Sequence, residues 1–275
     1  MKIIAIVQAR LGSTRLPNKV MKPVGADMPM IKLLLSRLIK SKEIDQVILA
    51  TSDESTNQPL VDYVRKLGYI VYQGSENDVL DRYYKASLEY NPDVIVRITG
   101  DCPLVDPEVV DSVIEAYRSM DVDYVSNTNP PTYPDGLDVE VFSTSSLKIA
   151  WKEAKLRSER EHVTLYIRES GKFKISNVVN NKNYSDERWT VDEPEDYELI
   201  QSIFSHFAPR IDFSWREVLK FSKEQPIIFS VNRHLVRNDG LKMGTGQKLW
   251  KRAKKVIPGG NMLLSKRPEM FLPDK

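Results

Sequence analysis

Ile3-Ile4-Ala5-Ile6-Val7 leads directly into Gln8-Ala9-Arg10-Leu11-Gly12-Ser13-Thr14-Arg15-Leu16-Pro17-Asn18-Lys19. The first run is continuous, apolar and rich in β-branched residues, which is typical of a strand buried on both faces. The second run is a polar loop. Because open α/β sheets bind ligands beyond the carboxyl ends of their strands, this stretch predicts a parallel sheet with a candidate binding loop after its first strand.

Strands and helices alternate along the first 130 residues. Apolar runs predict strands at 3–7, 46–51, 69–72, 94–98 and 124–126. Apolar residues at helical spacing predict helices at 30–39, 58–67, 80–90 and 108–120. Strands that alternate with helices of this length form parallel β-α-β units. The pattern therefore predicts an α/β fold of the Rossmann-like, three-layer α/β/α kind with a mainly parallel sheet.

The alternation loosens after residue 130. Apolar runs at 139–142 and 173–179 predict additional antiparallel strands, which would make the sheet mixed. Further helices are predicted at 145–154, at 195–207 and near 215–221. From about residue 232 the chain is basic and too short to form a core alone. We therefore predict one α/β domain over 1–230, followed by a linker and the start of another domain over 231–275.

Charge and cysteine content limit the classes of function. Lys and Arg total 40 against 38 Asp and Glu, so the net charge of +2 predicts neither nucleic-acid nor membrane binding. The single cysteine, Cys102, excludes an internal disulfide framework and suits a reducing cytosol. The apolar start at 1–7 is too short for a signal peptide or a membrane span. We predict a cytoplasmic protein.

The loop at 8–19 carries three cations, Arg10, Arg15 and Lys19, beside three small residues at 12–14. Small residues let backbone N–H groups approach phosphate oxygens, and cations neutralise the phosphate charge. The alternative is a solvated basic loop, which the position after a buried strand disfavours. The loop lacks the Gly-x-x-x-x-Gly-Lys-Ser/Thr pattern of a P-loop.

The spacing Arg10…Ser13-x-Arg15-Leu16-Pro17-x-Lys19 resembles the signature of the cytidylyltransferases that activate acidic sugars, and it is most similar to their spore-coat polysaccharide (SpsF-like) branch. The resemblance extends to about residue 225. It implies a nucleotidyltransferase fold in which Arg15 and Lys19 bind the triphosphate and act catalytically, while the backbone at 9–12 contacts the base. The nucleotide-binding residues that it implies are Gln8, Ala9, Arg10, Leu11, Gly12, Ser13, Arg15, Lys19, Ser52, Asp53, Gly74, Asp78, Arg82, Thr99 and Gly100.

Gly100-Asp101-Cys102-Pro103-Leu104 follows the strand predicted at 94–98. An acid after a buried strand and a glycine is well placed to hold Mg²⁺, which prefers oxygen ligands, although Gly-Asp is also a common turn. In the resembling family this Asp is a metal ligand, which implies a catalytic, metal-binding role for Asp101. At the position of Thr99, the family's sugar-acid synthetases often have Gln. This chain therefore differs from them at a residue that bears on recognition of the base. We interpret Cys102 as a packing residue.

Asp192-Glu193-Pro194-Glu195-Asp196 precedes the helix predicted at 195–207. Pro and acids in a first turn also make an ordinary helix start. In the family the equivalent motif begins with the second metal ligand, so the resemblance implies that Asp192 and Asp101 together hold Mg²⁺, with Mn²⁺ as the alternative cofactor. The two acids are 91 residues apart, so only folding can bring them together.

Two later segments, 135–140 and 161–166, are candidates for holding the second substrate. The acceptor-binding residues proposed from them are Asp138, Glu140, His162 and Tyr166. His162 is expected at the start of a helix over 162–168, where a histidine is more often structural than catalytic. A His-x-x-x-Tyr pattern in the resembling family gives the functional interpretation about equal weight.

These features predict a Mg²⁺-dependent transfer of CMP from CTP to a small anionic acceptor, with release of pyrophosphate, in surface polysaccharide biosynthesis. The sequence does not identify the acceptor, which is either a sugar acid or a phosphorylated sugar, polyol or amino alcohol. One alternative is a glycosyltransferase using Asp121-Val122-Asp123, which is disfavoured because these acids precede a strand instead of following one. The other is a non-catalytic nucleotide-binding module.

Leu249-Trp250-Lys251-Arg252-Ala253 and Ile257-Pro258-Gly259-Gly260 resemble the opening of class III, glutamate-1-semialdehyde-type aminotransferases. The match spans about thirty residues and contains no Schiff-base lysine, so no pyridoxal phosphate site is expected in this chain. This resemblance implies fusion to an aminotransferase domain in a longer protein. The cytidylyltransferase resemblance implies a homodimer.

Overall fold

The computed structural model describes residues 1–25 and 27–237, and a compact unit extends over Met1–Arg233. The strands are β1 (Ile3–Gln8), β2 (Pro23–Val24), β3 (Met28–Pro29), β4 (Gln46–Ser52), β5 (Ile70–Gly74), β6 (Val94–Thr99), β7 (Tyr124–Ser126), β8 (Glu140–Ser143) and β9 (Ile175–Asn177). The α-helices are α1 (Met30–Leu38), α2 (Gln58–Lys66), α3 (Val79–Tyr90), α4 (Pro107–Ser119), α5 (Thr144–Glu153), α6 (Arg157–Glu161), α7 (Leu165–Glu169), α8 (Pro194–Phe207) and α9 (Trp215–Glu224). Short 3₁₀ helices cover Lys19–Met21, Ser55–Asn57 and Ile228–Ser230.

The main sheet has seven strands in the order β5-β4-β1-β6-β8-β7-β9. β1 lies at its centre and is parallel to both neighbours, β4 and β6. β8 is antiparallel to β6 and to β7. The predicted mixed, mainly parallel sheet is therefore confirmed.

Helices cover both faces of this sheet, because successive side chains of a strand point to opposite sides. Ile3, Ala5 and Val7 of β1 pack into one core with residues of α1, α2, α4, α8 and α9. Ile4 and Ile6 pack into the opposite core with residues of α3, α5 and α7. This is the predicted three-layer arrangement, and it leaves the carboxyl ends of the central strands free to carry loops.

Two predictions of local structure are wrong. The strand within 173–179 is β9, and it is parallel to β7 instead of antiparallel. Three helices separate β8 from β9, so the chain arrives by a crossover and not by a hairpin, and crossovers permit parallel pairing. His162 caps the end of α6 instead of starting a helix, because Val163 has φ 52° and interrupts the helical path before α7.

The aminotransferase-like segments at 249–260 lie outside the described residues. The domain boundary at 230, the homodimer and the cytoplasmic location stay predictions. Within 1–25 and 27–237, no helix has both the length and the apolar character that crossing a bilayer requires.

Candidate functional site

Four neighbouring parallel strands, β1, β4, β5 and β6, end at one edge of the sheet. Gln8 at the end of β1 lies opposite Ala50 and Thr99, and Ser52 at the end of β4 lies opposite Gly74. The loop at 9–18 that follows β1 is thereby placed beside the turn that follows β6. The structure thus joins the first two motifs of the sequence at the edge where α/β sheets bind ligands.

Lys19 connects all three motifs. Its Nζ lies 3.3 Å from Oδ2 of Asp101 and 2.8 Å from Oδ1 of Asp192, and it donates to the carbonyl of Val191 at 2.7 Å. A backbone bond from Val191 N to Asp101 O (2.8 Å) joins the two acid-bearing segments. The predicted meeting of Asp101 and Asp192 is therefore realised, with an ammonium group between the two carboxylates.

The charges in this cluster stabilise one another. Burial alone would lower the pKa of the Lys19 ammonium, but Asp101 and Asp192 outweigh it and hold the pKa above its ordinary value of 10.5. Burial alone would raise the pKa of the Asp101 carboxyl, but Lys19 outweighs it, and the pKa lies below the ordinary 3.8. Lys19 and Asp101 are therefore both charged at neutral pH.

Arg15 completes what we call the edge cluster, which consists of Arg15, Lys19, Asp101 and Asp192. Its guanidinium lies 3.1 Å from Oδ2 of Asp192 and 3.1 Å from Oε1 of Glu193. The Arg15 side chain is 46% exposed, so its ion pairs are in contact with solvent. Exposed pairs contribute only about 0–1 kcal/mol, so Arg15 can exchange these partners for a ligand at little cost.

The binding loop is held in place by contacts that its sequence did not reveal. Asn57, buried at the start of α2, accepts a hydrogen bond from Leu11 N at 2.8 Å. Asn18 donates its backbone N–H to Leu11 O and has φ 56°, which turns the chain into the 3₁₀ helix that presents Lys19. The Ser13 hydroxyl accepts from Leu16 N at 3.4 Å. Asn57 lies in a polar turn whose local sequence does not differ from that of other polar turns, so it could not be predicted.

Glu76 lies in the loop from which Gly74, Asp78 and Arg82 were predicted, but it was not itself predicted, and it forms an ion pair with Arg10. The pair involves the third predicted cation of the loop, so Arg10 is directed towards the segment after β5. Arg10 therefore pairs with a different segment from the acids that Arg15 and Lys19 contact, and its role in binding stays a prediction. Gly12 lies beside the same pair, since a Cβ there would be 3.8 Å from Glu76 Oε1.

The turn after β6 requires a glycine. A Cβ at Gly100 would lie 2.6 Å from the Cβ of Ala9 and 2.9 Å from Gln8 O, closer than real contacts allow. Gly100 N donates to Gln8 O at 2.8 Å, so the two loops touch through their backbones.

Cys102 is buried behind this turn against the Thr99 hydroxyl at 3.2 Å, and burial raises the pKa of its thiol well above its ordinary value. A neutral, buried thiol agrees with the predicted packing role.

The motif at 192–196 also begins α8. The alternative interpretation of this motif, an ordinary helix start, is therefore correct as well. Glu193 is the N-cap, and Oδ2 of Asp196 accepts from the backbone N–H groups of Asp192 and Glu193, both at 3.0 Å. Asp196 is held in turn by Arg188 at 2.9 Å and by Asn232 at 2.9 Å. We call Arg188, Asp135, Asp196 and Asn232 the buried network. Because this network fixes the backbone of Asp192, the helix start and the site depend on the same residues.

The residues proposed after β4 and β5 mainly support the loops in which they lie. Ser52 is buried, and Asp53 N donates to Gly74 O at 2.9 Å. Asp78 caps α3 by accepting from Asp81 N and pairs with Arg160 at 2.6 Å. Arg82 is buried and donates to the carbonyl of Ser75 at 3.0 and 2.5 Å. Their contact with a nucleotide stays a prediction.

The acceptor candidates lie on different elements: Glu140 begins β8, His162 ends α6 and Tyr166 belongs to α7. Glu140 is buried, where it pairs with Arg97 and accepts from the Tyr124 hydroxyl at 2.6 Å. Tyr166 donates to Glu153 Oε2 at 2.6 Å, and His162 ends α6. Asp138 precedes β8, and after burial and Asp101 its charge also contributes to the raised pKa of the Cys102 thiol.

The acids at 121–123, considered for a glycosyltransferase, lie at the amino end of β7. Asp121 is exposed and pairs with Lys174 at 2.5 Å, and Asp123 accepts from Lys174 N at 2.9 Å. We call the edge formed by the carboxyl ends of the parallel strands the ligand edge. These acids lie at the opposite edge of the sheet. The structure therefore gives no support to that alternative.

Comparison with known proteins places the geometry in a family. A family model described as cytidylyltransferase matches residues 4–225. The chain is 36% identical over 232 residues to the spore coat polysaccharide biosynthesis protein SpsF of Bacillus subtilis, covering 82% of this chain and 95% of that protein. It is 41% identical over 238 residues to the uncharacterized protein MJ1063 of Methanocaldococcus jannaschii, covering 86% and 96%.

Solved structures agree with these matches. A cytidylyltransferase from Leptospira borgpetersenii superposes with a TM-score of 0.79 at 34% identity, covering 83% of this chain and 97% of that one. A CMP:2-keto-3-deoxy-manno-octonic acid synthetase complexed with CTP superposes with a TM-score of 0.59 at 16% identity, covering 75% and 100%. The second likeness concerns the fold alone.

Proposed function

The chain belongs to the cytidylyltransferase family, and from this premise we propose that it transfers CMP from CTP to an anionic acceptor, with Mg²⁺ dependence, in the synthesis of a surface polysaccharide. The observation that supports the proposal is the contact of Lys19 Nζ with both Asp101 and Asp192 at the ligand edge of the sheet. It joins a cation suited to phosphate with two carboxylates suited to a divalent metal.

The two carboxylates fit a magnesium ion. The side chains of Asp101 and Asp192 are 27% and 24% exposed, so both carboxylates are accessible from solvent. Within the residues that the structure describes, no group of three or more acids, histidines and cysteines could hold a metal. A two-carboxylate set suits Mg²⁺, which is usually held by one or two carboxylates together with water and substrate phosphates. When bound, the ion would neutralise charge on the phosphate oxygens.

The cations of the edge cluster would act on the triphosphate. Transfer of a nucleotidyl group needs positioning and charge neutralisation more than covalent catalysis. Lys19 Nζ is held by three oxygen atoms, so it can stabilise charge at a defined point. Arg15 is half exposed and can turn from Glu193 towards a phosphate. We assign Lys19 to the charge that develops on the leaving pyrophosphate and Arg15 to its binding.

The acceptor class rests on relatives. The spore coat protein of Bacillus subtilis is named for polysaccharide biosynthesis. A 3-deoxy-manno-octulosonate cytidylyltransferase of Trichlorobacter lovleyi is 31% identical over 119 residues, which is 42% of this chain and 45% of that protein. We therefore propose a sugar acid as the first acceptor to test, with phosphorylated sugars, polyols and amino alcohols as the alternatives.

A pyrophosphate-release screen tests the proposal. The purified chain is given each of the four ribonucleoside triphosphates with 3-deoxy-manno-octulosonate, other sugar acids and sugar phosphates, with Mg²⁺ or with EDTA. We expect release from CTP with one acceptor class, and loss of release in EDTA. Release of a nucleoside diphosphate from nucleotide sugars would point instead to a glycosyltransferase. Tight binding of CTP without turnover on any acceptor would point to a non-catalytic module.

A further inference from the structure

A buried asparagine near the end of the compact unit has no part in the chemistry described above. Asn232 lies beyond residues 4–225, which the family model matches, and it follows the 3₁₀ helix Ile228–Ser230. It is 2% exposed. Burial of an amide costs free energy unless the amide is hydrogen-bonded, so the partners of Asn232 indicate its role.

The Asn232 amide donates to two groups of the buried network. Its Nδ2 lies 2.9 Å from the carbonyl oxygen of Arg188 and 2.9 Å from Oδ1 of Asp196. A carbonyl or carboxylate oxygen can only accept a hydrogen bond, so the Asn232 group that faces both must be the NH₂. That group has two hydrogens, one for each partner. Asn232 therefore holds the Asp196 carboxylate and the Arg188 backbone together.

Both partners of Asn232 lead to Asp192. Oδ2 of Asp196 accepts from the backbone N–H groups of Asp192 and Glu193, both at 3.0 Å. Nη2 of Arg188 donates to the same Asp196 oxygen at 2.9 Å and lies 3.7 Å from Oδ2 of Asp192. If the Asp196 carboxylate turned, the Asp192 backbone would lose its acceptor. Arg188 could then move onto the Asp192 carboxylate and compete there with a metal ion.

Neutralisation of charge does not account for Asn232. Arg188 pairs with both oxygens of Asp196 and with Asp135 at 3.1 Å, so its charge is balanced without the asparagine. Asn232 is neutral and adds no ion pair. It adds direction, because its amide ties the Arg188 backbone to the carboxylate that the Arg188 side chain holds.

We infer that Asn232 is a positioning residue for the metal ligand Asp192: it holds the Asp196 carboxylate in the orientation that fixes the Asp192 backbone and keeps Arg188 on Asp196. This inference rests on the proposed function, in which Asp192 and Asp101 hold Mg²⁺. Partners that orient a metal ligand typically change metal affinity about 10–100-fold when they are removed. Asn232 acts one contact further away, so we expect the lower end of this range.

Metal binding without turnover tests this inference. Mn²⁺, whose paramagnetic resonance signal reports the free ion, is titrated at pH 7 into the full chain with CTP and without an acceptor. The wild type is compared with Asn232→Ala. We expect the Kd for Mn²⁺ to rise about tenfold in Asn232→Ala, because Asp192 is no longer held in place.

Asn127→Ala is the matched control for lost stability. Asn127 is also a buried asparagine with two side-chain bonds, to Leu137 O at 2.8 Å and from Val139 N at 2.9 Å. Urea unfolding should show a loss of stability in both variants, whereas only Asn232→Ala should weaken Mn²⁺ binding. An equal rise of the Kd in Asn127→Ala would overturn the inference, since lost stability alone would then explain the effect.

Asn232→Asp separates hydrogen bonding from space filling. The substitution preserves the size of the side chain but places an acceptor where Asp196 and the Arg188 carbonyl require a donor. We expect it to weaken Mn²⁺ binding at least as much as Asn232→Ala, and Asn232→Ser, which retains one donor, to lie between Asn232→Ala and the wild type. Binding by Asn232→Asp as tight as that of the wild type would show that Asn232 only fills space.

Two outcomes separate this inference from the proposed function. If the wild type and Asn232→Ala bind Mn²⁺ equally well in the presence of CTP, the inference is overturned while the proposed function stands. If the wild type binds no Mn²⁺ in the presence of CTP, the proposed metal site itself is wrong.

Discussion

The edge cluster and the buried network lie side by side at the start of α8, and both consist of basic and acidic side chains. They differ in how completely their hydrogen-bonding capacity is used. In the buried network Asp196 is 0% exposed and accepts five hydrogen bonds, from two Arg188 nitrogens, Asn232 and two backbone N–H groups. In the edge cluster the side chains of Asp101 and Asp192 are 27% and 24% exposed.

Asp192 belongs to both environments and shows what the difference means. Its carboxylate lies 2.8 Å from Lys19 and 3.7 Å from Arg188, while its backbone N–H is bonded to Asp196. The saturated network holds the backbone of Asp192, while its carboxylate belongs to the edge cluster and is 24% exposed. Charged residues that satisfy one another completely support the fold, whereas those that keep accessible atoms can bind a ligand.

The largest effect is expected from Asp196→Ala, which breaks the buried network. It leaves Arg188 without its main partner in a buried position, so we expect the free energy of unfolding to fall by about 3–5 kcal/mol. Urea unfolding followed by circular dichroism measures this loss. Asp121→Ala, which removes an exposed partner of Lys174, is the control and should leave the unfolding midpoint unchanged. A near-wild-type midpoint for Asp196→Ala would show that the network is not structural.

Lys19→Ala breaks the edge cluster. Loss of one donor to transition-state charge typically lowers turnover by about a hundredfold or more, and we expect that reduction in pyrophosphate release from CTP. The melting temperature should change much less than in Asp196→Ala, because water can solvate the two open carboxylates. Wild-type-like turnover in a folded Lys19→Ala variant would remove Lys19 from the reaction.

Arg15→Gln should have a smaller effect in the same cluster. Arg15 is half exposed and would contribute a charge-assisted contact to the triphosphate, so we expect the KM for CTP to rise about tenfold with a minor change in kcat. Steady-state kinetics at saturating acceptor separates the two constants. A fall in kcat without a change in KM would assign Arg15 to the chemical step instead of to binding.

The contribution of the buried network to acid stability depends on the pKa of Asp196. Burial alone would raise this pKa, but the hydrogen bonds and charge of Arg188 outweigh it and place the pKa below the ordinary 3.8. A group whose pKa is lowered by folding contributes stability above its unfolded pKa and loses it as the pH falls through the folded value. We expect the melting temperature of the wild type to drop as the pH falls below about 4, and Asp196→Asn to lack this part of the drop. Identical profiles for the two proteins would exclude Asp196 as the source.

Cys102 should give the smallest effect. Its thiol is buried and its pKa is raised by burial and by the negative charge of Asp101, so little thiolate forms at pH 8. Alkylation by iodoacetamide should be slow in the native protein and fast after unfolding in urea, as mass spectrometry would show. Cys102→Ala should keep turnover within about twofold of the wild type. Rapid alkylation that abolished activity would place the thiol at the site.

Much of the fold could be predicted, because buried parallel strands are continuous apolar runs whose position depends little on their partners. The strand expected at 94–98 is Val94–Thr99, and the helix expected at 108–120 is Pro107–Ser119. The direction of β9 could not be predicted, since a short strand at the end of a crossover carries no pattern that distinguishes parallel from antiparallel pairing.

The candidate site was predictable only in part. Lys19 and Asp101 each follow a predicted strand, and the family resemblance paired Asp101 with Asp192. Asn57, which holds Leu11, had no recognisable motif because single polar residues in turns are common, and Glu76, which pairs with Arg10, lay in a loop whose other residues were chosen. Their importance depends on which loops the sheet brings together.

The sequence by itself determined that a buried strand at 3–7 leads into a cationic loop, because hydrophobic patterning and small residues act over a few neighbouring positions. Only the tertiary structure decided which acids that loop meets. The backbone bond between Val191 and Asp101 joins segments about ninety residues apart, and Lys19 reaches both carboxylates there. Contacts of that kind follow from the order of strands in the sheet, which no local stretch of sequence specifies.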